Sequence, residues 1–546
     1  MKIKPYTLRW IIGSMLVTLS SQASELPRIS KSTEGGQLIV DGKPYLILGG
    51  ELGNSSAGAA AQADTILPRL AKMHVNTVLM PVAWEQVEPS EGQFDFSILD
   101  HWIDVARTEH VHLVLLWFGS WKNAFSSYAP SWVKQDTRRF PRAVSAEGAE
   151  LEILSTLGTE TLRCDSRAFS TLMKHVKAVD EKRQTVLMVQ VENEVGYLGR
   201  GRDRSVAANR MFRGPAPVEM VQKLQARRSA LSPEFAAHFH PDGKTWQEIF
   251  GDAANEVFMA WNYARFIQTV AAEGKQAYPL PMYVNAQLPA PAERAGEYPS
   301  GGPHPYYLEV YRAAAPALDF YSPDIYWPNF EYWVQRYQVP GNAIFVPEAR
   351  IESAPFNAFY AYGASKAFGF AAFGIDSIEV PSANTDARPN IEQTYKVLDD
   401  LSEMLLPAQA SGRTRGLVLH ASSPRPTETV AMGGYLFEAT LSRSWPAKTL
   451  LTDDGAMIIV QSAPDEFFIA GRGLTVSFVR DPDLDDRIGG IASIEEVARV
   501  DGKWITQRRL NGDQSNQGRQ LSMAPNQVRT YRVVLYAFER ERQAPC

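Results

Sequence analysis

Two glutamates close apolar, β-forming runs. Val189-Gln190-Val191 leads into Glu192-Asn193-Glu194, and Ile344-Phe345-Val346-Pro347 leads into Glu348. A charge at the end of a buried strand is costly unless it is paired or used. Hydrolysis of a glycosidic bond uses two carboxyl groups, an acid to protonate the departing oxygen and a carboxylate to attack the anomeric carbon; a separation of about 5–5.5 Å gives retention of configuration. Residues i and i+2 of a strand point the same way, so Glu192 and Glu194 are both expected to face inward. Glu194, nearer the exit, is the better acid. Asn193 supplies an amide for a sugar hydroxyl beside the reacting carbon.

Two side chains 154 positions apart can meet only if the fold brings their strands to one end. From Tyr45 to Phe373 eight short apolar runs alternate with amphipathic ones: Tyr45–Glu51, Asn76–Ala83, Val111–Trp117, Thr185–Val191, Met282–Ala286, Ala317–Ile325, Ala343–Val346 and Phe368–Phe373. Helical patterns fall between them at Thr65–Met73, Ser97–Thr108, Ser166–Val179, Asn255–Ala272 and Ala354–Ala364. This alternation predicts an α/β fold, a (β/α)8 TIM barrel, with catalytic groups at the C-terminal strand ends. An open doubly wound sheet is the rival arrangement. The Arg-, Pro- and His-rich stretch Gly196–Asp252 is expected to form a rim or lid. Ile391–Leu406 reads as a closing helix and Pro407–Thr414 as a linker. Beyond Arg415 the period becomes two, in runs such as Glu428–Glu438 and Val528–Ala537, which predicts an antiparallel β-sandwich or barrel. The expected domains are thus 24–410 and 411–546.

Other candidates lie at strand exits. Tyr326, after the sixth strand, is placed to hydrogen-bond a carboxylate on the seventh. The chain has 12 Trp, and a sugar ring presents an apolar C–H face to aromatic platforms; Trp84, Trp121 and Trp327 are the expected ones. His238-Phe239-His240 lacks a third ligand and reads as a surface loop. No Gly-x-Ser-x-Gly elbow occurs.

The remaining composition narrows the partners. A net charge of -6 offers no basic excess for nucleic acid. Two cysteines, Cys164 and Cys546, build neither a disulfide framework nor a thiolate zinc site, and the reading requires no cofactor and no metal. Lysines at the start, the apolar run Trp10–Leu19 and Ser21-Gln22-Ala23 have the order of a secretory signal peptide over 1–23. The mature chain is therefore expected to be periplasmic or secreted, without a membrane partner, and its oligomeric state is left open.

Asn193-Glu194 paired with Glu348 resembles the clan A glycoside hydrolases. Trp84-Glu85-Gln86-Val87-Glu88-Pro89-Ser90-Glu91-Gly92-Gln93-Phe94-Asp95-Phe96 and Val189–Gly196 resemble family 35 in particular, over most of Ile47–Phe373. The resemblance implies a retaining exo-β-galactosidase with Glu194 as acid/base, Glu348 as nucleophile and Asn193 on the sugar 2-hydroxyl. Asn123-Ala124 matches the family's sugar-binding turn, but Phe125 stands where the family has a glutamate, and Pro81 where it often has a tyrosine. Glu51, leaving the neighbouring first strand, is the candidate to supply that carboxylate. The whole chain looks most like a bacterial branch acting on plant cell-wall galactosides such as xyloglucan side chains. A clan A β-glycosidase for glucose or arabinose, or a sugar-binding protein without turnover, are the alternatives.

Overall fold

The computed structural model describes residues 25–30, 36–377, 387–423 and 427–539, with 387–390 described by backbone alone. The expected leader and Cys546 lie outside the described residues. Eight parallel strands form the barrel: β1 Ile47–Glu51, β2 Thr77–Ala83, β3 His112–Lys122, β4 Val186–Asn193, β5 Met282–Gln287, β6 Phe320–Ile325, β7 in two pieces (Phe345–Val346 and Glu348–Ala349) and β8 Gly369–Phe373. Helices follow the strands: α1 Ala63–Lys72, α2 Ser97–Thr108, α3 Thr159–Asp180, α4 Ala254–Ala277, α5 Leu308–Ala314, α6 Phe330–Tyr337, α7 Ala354–Gly363 and α8 Ala387–Ala410.

Pro347 divides β7. Proline has no N–H to give to a ladder, and the two pieces pair with different neighbours. Phe345–Val346 pairs with β8 and Glu348–Ala349 with β6, so this strand is the seam that closes the barrel. A fully buried cluster including Ile47, Leu79, Leu116, Phe118, Tyr283, Phe320, Phe345 and Phe368 fills the lower interior. A small antiparallel sheet (Arg28–Ile29, Leu38–Val40, Lys43–Tyr45) packs Leu38 and Val40 onto that cluster. Above it the interior becomes polar.

Three local expectations are corrected. Strand β3 runs five residues past Trp117, with a bulge that brings Lys122 level with Asn193. Helix α8 continues through Pro407 to Ala410, where a linker was expected. Glu428–Glu438 is a hairpin of two strands, turning at Gly433-Gly434, whose φ values of 60° and 85° favour glycine. The stretch 196–252 carries four short helices, Val206–Arg213, Val218–Ala226, Pro233–Ala237 and Trp246–Phe250. They dock on α4 through edge-on contacts of Phe212 and Trp246 with Phe258.

The C-terminal region is all β: β9 Thr414–His420, β10 Thr427–Met432, β11 Tyr435–Leu441, β12 Asp454–Ala463, β13 Glu466–Arg472, β14 Leu474–Arg480, β15 Ile488–Val500, β16 Lys503–Leu510, β17 Gln520–Ser522 and β18 Arg529–Phe538. They form two antiparallel sheets, in the orders β9-β12-β13-β18-β15-β16 and β10-β11-β14-β17. Leu417, Phe437, Ile459, Phe467, Val476 and Val533 pack between these sheets. The outer face of the six-stranded sheet is apolar too: Ala456, Ile458, Val460, Phe468 and Val528 belong to the same buried cluster as the barrel's helices. No helix among the described residues is long and apolar enough to cross a membrane.

Candidate active site

The C-terminal strand ends converge on a buried group of acids. Glu194 and Glu348 are 2% and 3% exposed, and one oxygen each from Glu194, Asp324 and Glu348 lie within 4.8 Å of one another. The sheet register explains the grouping: Asp324 on β6 is the ladder partner of Glu348 on β7, and Lys122 on β3 is the partner of Asn193 on β4.

Each acid has its own set of partners. Glu348 Oε1 accepts from Asn193 Nδ2 at 3.3 Å and Asn285 Nδ2 at 3.2 Å, and its Oε2 accepts from the Tyr326 hydroxyl at 2.8 Å. Three donors on one carboxyl group fix its direction. Glu194 accepts from Asn123 Nδ2 and lies beside Asp324; its backbone N–H donates to Asn285 Oδ1 at 2.9 Å. Burial, then the nearby Glu348 charge, pushes the Glu194 carboxyl up to about 8. Burial and the same neighbours hold Glu51 and Asp324 well above the ordinary carboxylate range. Burial opposes the Lys122 charge, but Glu348, Glu194, Glu51 and Asp324 outweigh it and raise its pKa. A carboxyl that burial and a neighbouring charge hold protonated, Glu194, thus stands beside a carboxyl held by three donors, Glu348.

Some polar capacity is unused. Neither Glu51 oxygen nor Asn193 Oδ1 has a protein hydrogen-bond partner, and all three atoms are buried. Such atoms cost free energy unless something bonds them, and hydroxyl groups of a sugar are suitable partners. The three clustered acids are also the one group among the described residues spaced to hold a cation; Asn123, Asn193, Asn285 and Tyr326 already donate to them.

The structure brings Glu194, Glu348, Asn193, Asn123, Glu51 and Tyr326 together. It does not bring Trp84 or Trp121. Trp84 donates Nε1 to Glu88 at 2.9 Å and lies edge-on to Trp132; Trp121 donates to the Leu154 carbonyl at 3.1 Å and packs on Tyr263 and Phe266. Both are fully buried, so they join helices to the barrel and cannot serve as platforms. Trp327 is half-buried next to Tyr326, with Nε1 on the Leu288 carbonyl at 3.2 Å. Glu192 also departs from expectation. It has φ 63° and Glu194 φ 45°, which breaks the alternation of the strand. Glu192 points outward, accepting from the Trp121 N–H at 2.8 Å beside Asp165 of α3.

Lys122, Asn285 and Asp324 were not singled out from sequence, although each is a polar residue at the end of an apolar strand, the same signal that marked the glutamates. A larger cavity of about 670 Å3, lined by Trp246, Trp261 and Phe266, lies on the outside of the barrel between α4 and the 206–250 helices. None of these acids lines it.

Comparison with known proteins agrees with the chemistry. Residues 56–216 match the family model Glyco_hydro_42, described as beta-galactosidase. The matching model is of family 42, and the family 35 expected from the motifs finds no support in it. Residues 391–522 match a domain of unknown function, DUF5597. A beta-galactosidase of Xanthomonas manihotis is 28% identical over 176 residues, covering 30% of this chain and 26% of that protein; the chain thus spans about a quarter of that relative's length. Solved structures that resemble the chain include beta-galactosidase from Marinomonas ef1, at 13% identity, 66% of this chain, 60% of that chain and a TM-score of 0.43. The catalytic domain of beta-amylase from Paenibacillus polymyxa is another, at 12% identity, 64% and 98% coverage and a TM-score of 0.45.

Proposed function

We propose that this chain is a retaining exo-β-galactosidase that removes terminal β-D-galactosyl residues from plant cell-wall oligosaccharides, including xyloglucan side chains, after export to the periplasm or beyond. The observation that carries the reading is the Glu194–Glu348 pair, with oxygens within 4.8 Å. That spacing suits direct attack by one carboxylate and leaves no room for an intervening water.

Glu348, aligned by Tyr326, Asn193 and Asn285, attacks the anomeric carbon while Glu194 passes its proton to the leaving oxygen. The covalent intermediate neutralises Glu348. Glu194 then takes a proton from water, which attacks the same carbon and releases the sugar with its configuration retained. Asn193 meets the 2-hydroxyl, and Glu51 with Lys122 meets hydroxyls on the far side of the ring. A site that hydrogen-bonds an axial hydroxyl rejects the equatorial isomer strongly. The test is a panel of aryl β-glycosides with proton NMR of the first product. Release of β-galactose first, with β-glucosides and α-arabinosides turned over far more slowly, supports the reading; α-galactose as first product or preference for another sugar refutes it.

A further inference from the structure

Beyond Tyr326 the wall of the site is shared with the C-terminal sandwich. A cavity of about 570 Å3 opens between the turns that follow β6 and β7 and the edge of the six-stranded sheet. Tyr326 and Trp327 line it from the first turn, Arg350 and Phe356 from the second turn and α7, and His420 and Asp454 from the sandwich. Tyr326 belongs to both places, because its hydroxyl also donates to Glu348 Oε2. The cavity therefore adjoins the reacting carboxylates, and its volume falls within the roughly 300–1,000 Å3 of sites that bind small organic ligands.

Its lining is anchored. Arg350 donates Nε to the Tyr326 carbonyl at 3.1 Å, which fixes the guanidinium at the rim. His420 Nδ1 lies 2.6 Å from Asp454 Oδ1, and the two are ladder partners across β9 and β12, which leaves the other ring nitrogen for a ligand. Phe356 is held beneath the Arg472 guanidinium, 5.0 Å from its ring centre. Aromatic faces interleaved with fixed donors and acceptors match the C–H faces and hydroxyl edges of sugar rings. A single terminal sugar bound between Glu194 and Glu348 does not need a second chamber; the rest of an oligosaccharide does.

We infer that this cavity binds the leaving-group part of an oligosaccharide substrate, and that the C-terminal sandwich supplies His420 and Asp454 to that subsite. The inference rests on the exo-galactosidase reading. For an enzyme that removes one terminal residue, everything outside the catalytic pocket is leaving group.

The test compares kcat/KM for a galactosylated xyloglucan oligosaccharide with kcat/KM for 4-nitrophenyl β-galactoside, whose leaving group is one small ring. The variants are His420→Ala, which removes the imidazole, and Ser422→Trp, which fills the cavity from the sandwich side and keeps the His420–Asp454 pair. Circular dichroism checks that both are folded. The oligosaccharide-to-aryl ratio is expected to fall at least tenfold in each. A wild-type ratio in either folded variant overturns the subsite. Absence of any turnover of the aryl galactoside by the wild-type chain would instead overturn the galactosidase reading, so the two failures are distinguishable.

Discussion

Replacing Glu348 by Gln keeps its shape and removes its charge, and should lower the pKa of Glu194. The two groups approach within 4.8 Å. At that distance two unit charges repel by about 3.5 kcal/mol at an effective dielectric near 20 and by about 0.9 kcal/mol in water. A pKa moves one unit per about 1.4 kcal/mol, so the expected drop is roughly 0.6–2.5 units, starting from about 8. Protein labelled with δ-13C glutamate and titrated by NMR gives the value directly, with the Glu194 resonance assigned from the Glu194→Gln and double variants. An unchanged or higher pKa in Glu348→Gln would refute the reasoning, because burial alone would then set the proton affinity. On the proposed mechanism the same drop operates during turnover: a covalent intermediate on Glu348 also discharges it, so the group that donated a proton in the first step becomes ready to accept one in the second.

Three further outcomes are expected. The kcat/KM of the wild-type enzyme on an aryl galactoside falls as pH rises through about 8, because Glu194 must be protonated to act as acid; a flat alkaline limb up to pH 9.5 would count against that role. Tyr326→Phe removes a 2.8 Å hydrogen bond to Glu348 worth about 1.5–3 kcal/mol to a charged acceptor, so kcat/KM should fall roughly 10- to 100-fold with Tm little changed. Trp121→Ala should cost about 3–5 kcal/mol of stability by chemical denaturation, while KM for the aryl galactoside stays within about twofold; a large KM increase would restore Trp121 to the sugar pocket.

The eight barrel strands were legible because buried parallel strands read as short apolar runs whatever they pack against. Glu194 and Glu348 were legible because a charge at the end of such a run is conspicuous. Their supports were harder to see. Lys122 is level with Asn193 only because β3 bulges after Trp117, and no apolar pattern announces a bulge. The outward turn of Glu192 depends on left-handed backbone at Glu192 and again at Glu194, and glutamate does not advertise that conformation as glycine would. Trp84 and Trp121 show the ambiguity of an aromatic at a strand exit, where the helix layer and the pocket are a few ångströms apart and burial decides between them. Strands β15 and β16 escaped notice because bulges at Ile491–Ser493 and Glu496–Val497 break the period of two in β15, and β16 is mostly polar, with Arg508 and Arg509 paired across the ladder to Glu496 and Glu495.

The outer face of the sandwich, buried against the barrel helices, has a bearing on how the chain matures. Ribosomes deliver the barrel first, but Val528 and the shared face of β12 and β13 arrive later, and β18, the last described strand, sits in the middle of the six-stranded sheet. Until β18 is inserted, β13 and β15 lack their common neighbour, and α7 and α8 keep an apolar surface in water. A nascent chain stopped at Ala410 would expose that surface to chaperones or to other copies of itself. The barrel and the sandwich thus share one apolar interface, and β18, by completing the sheet that covers α7 and α8, seals the back of the structure that holds the acids in place.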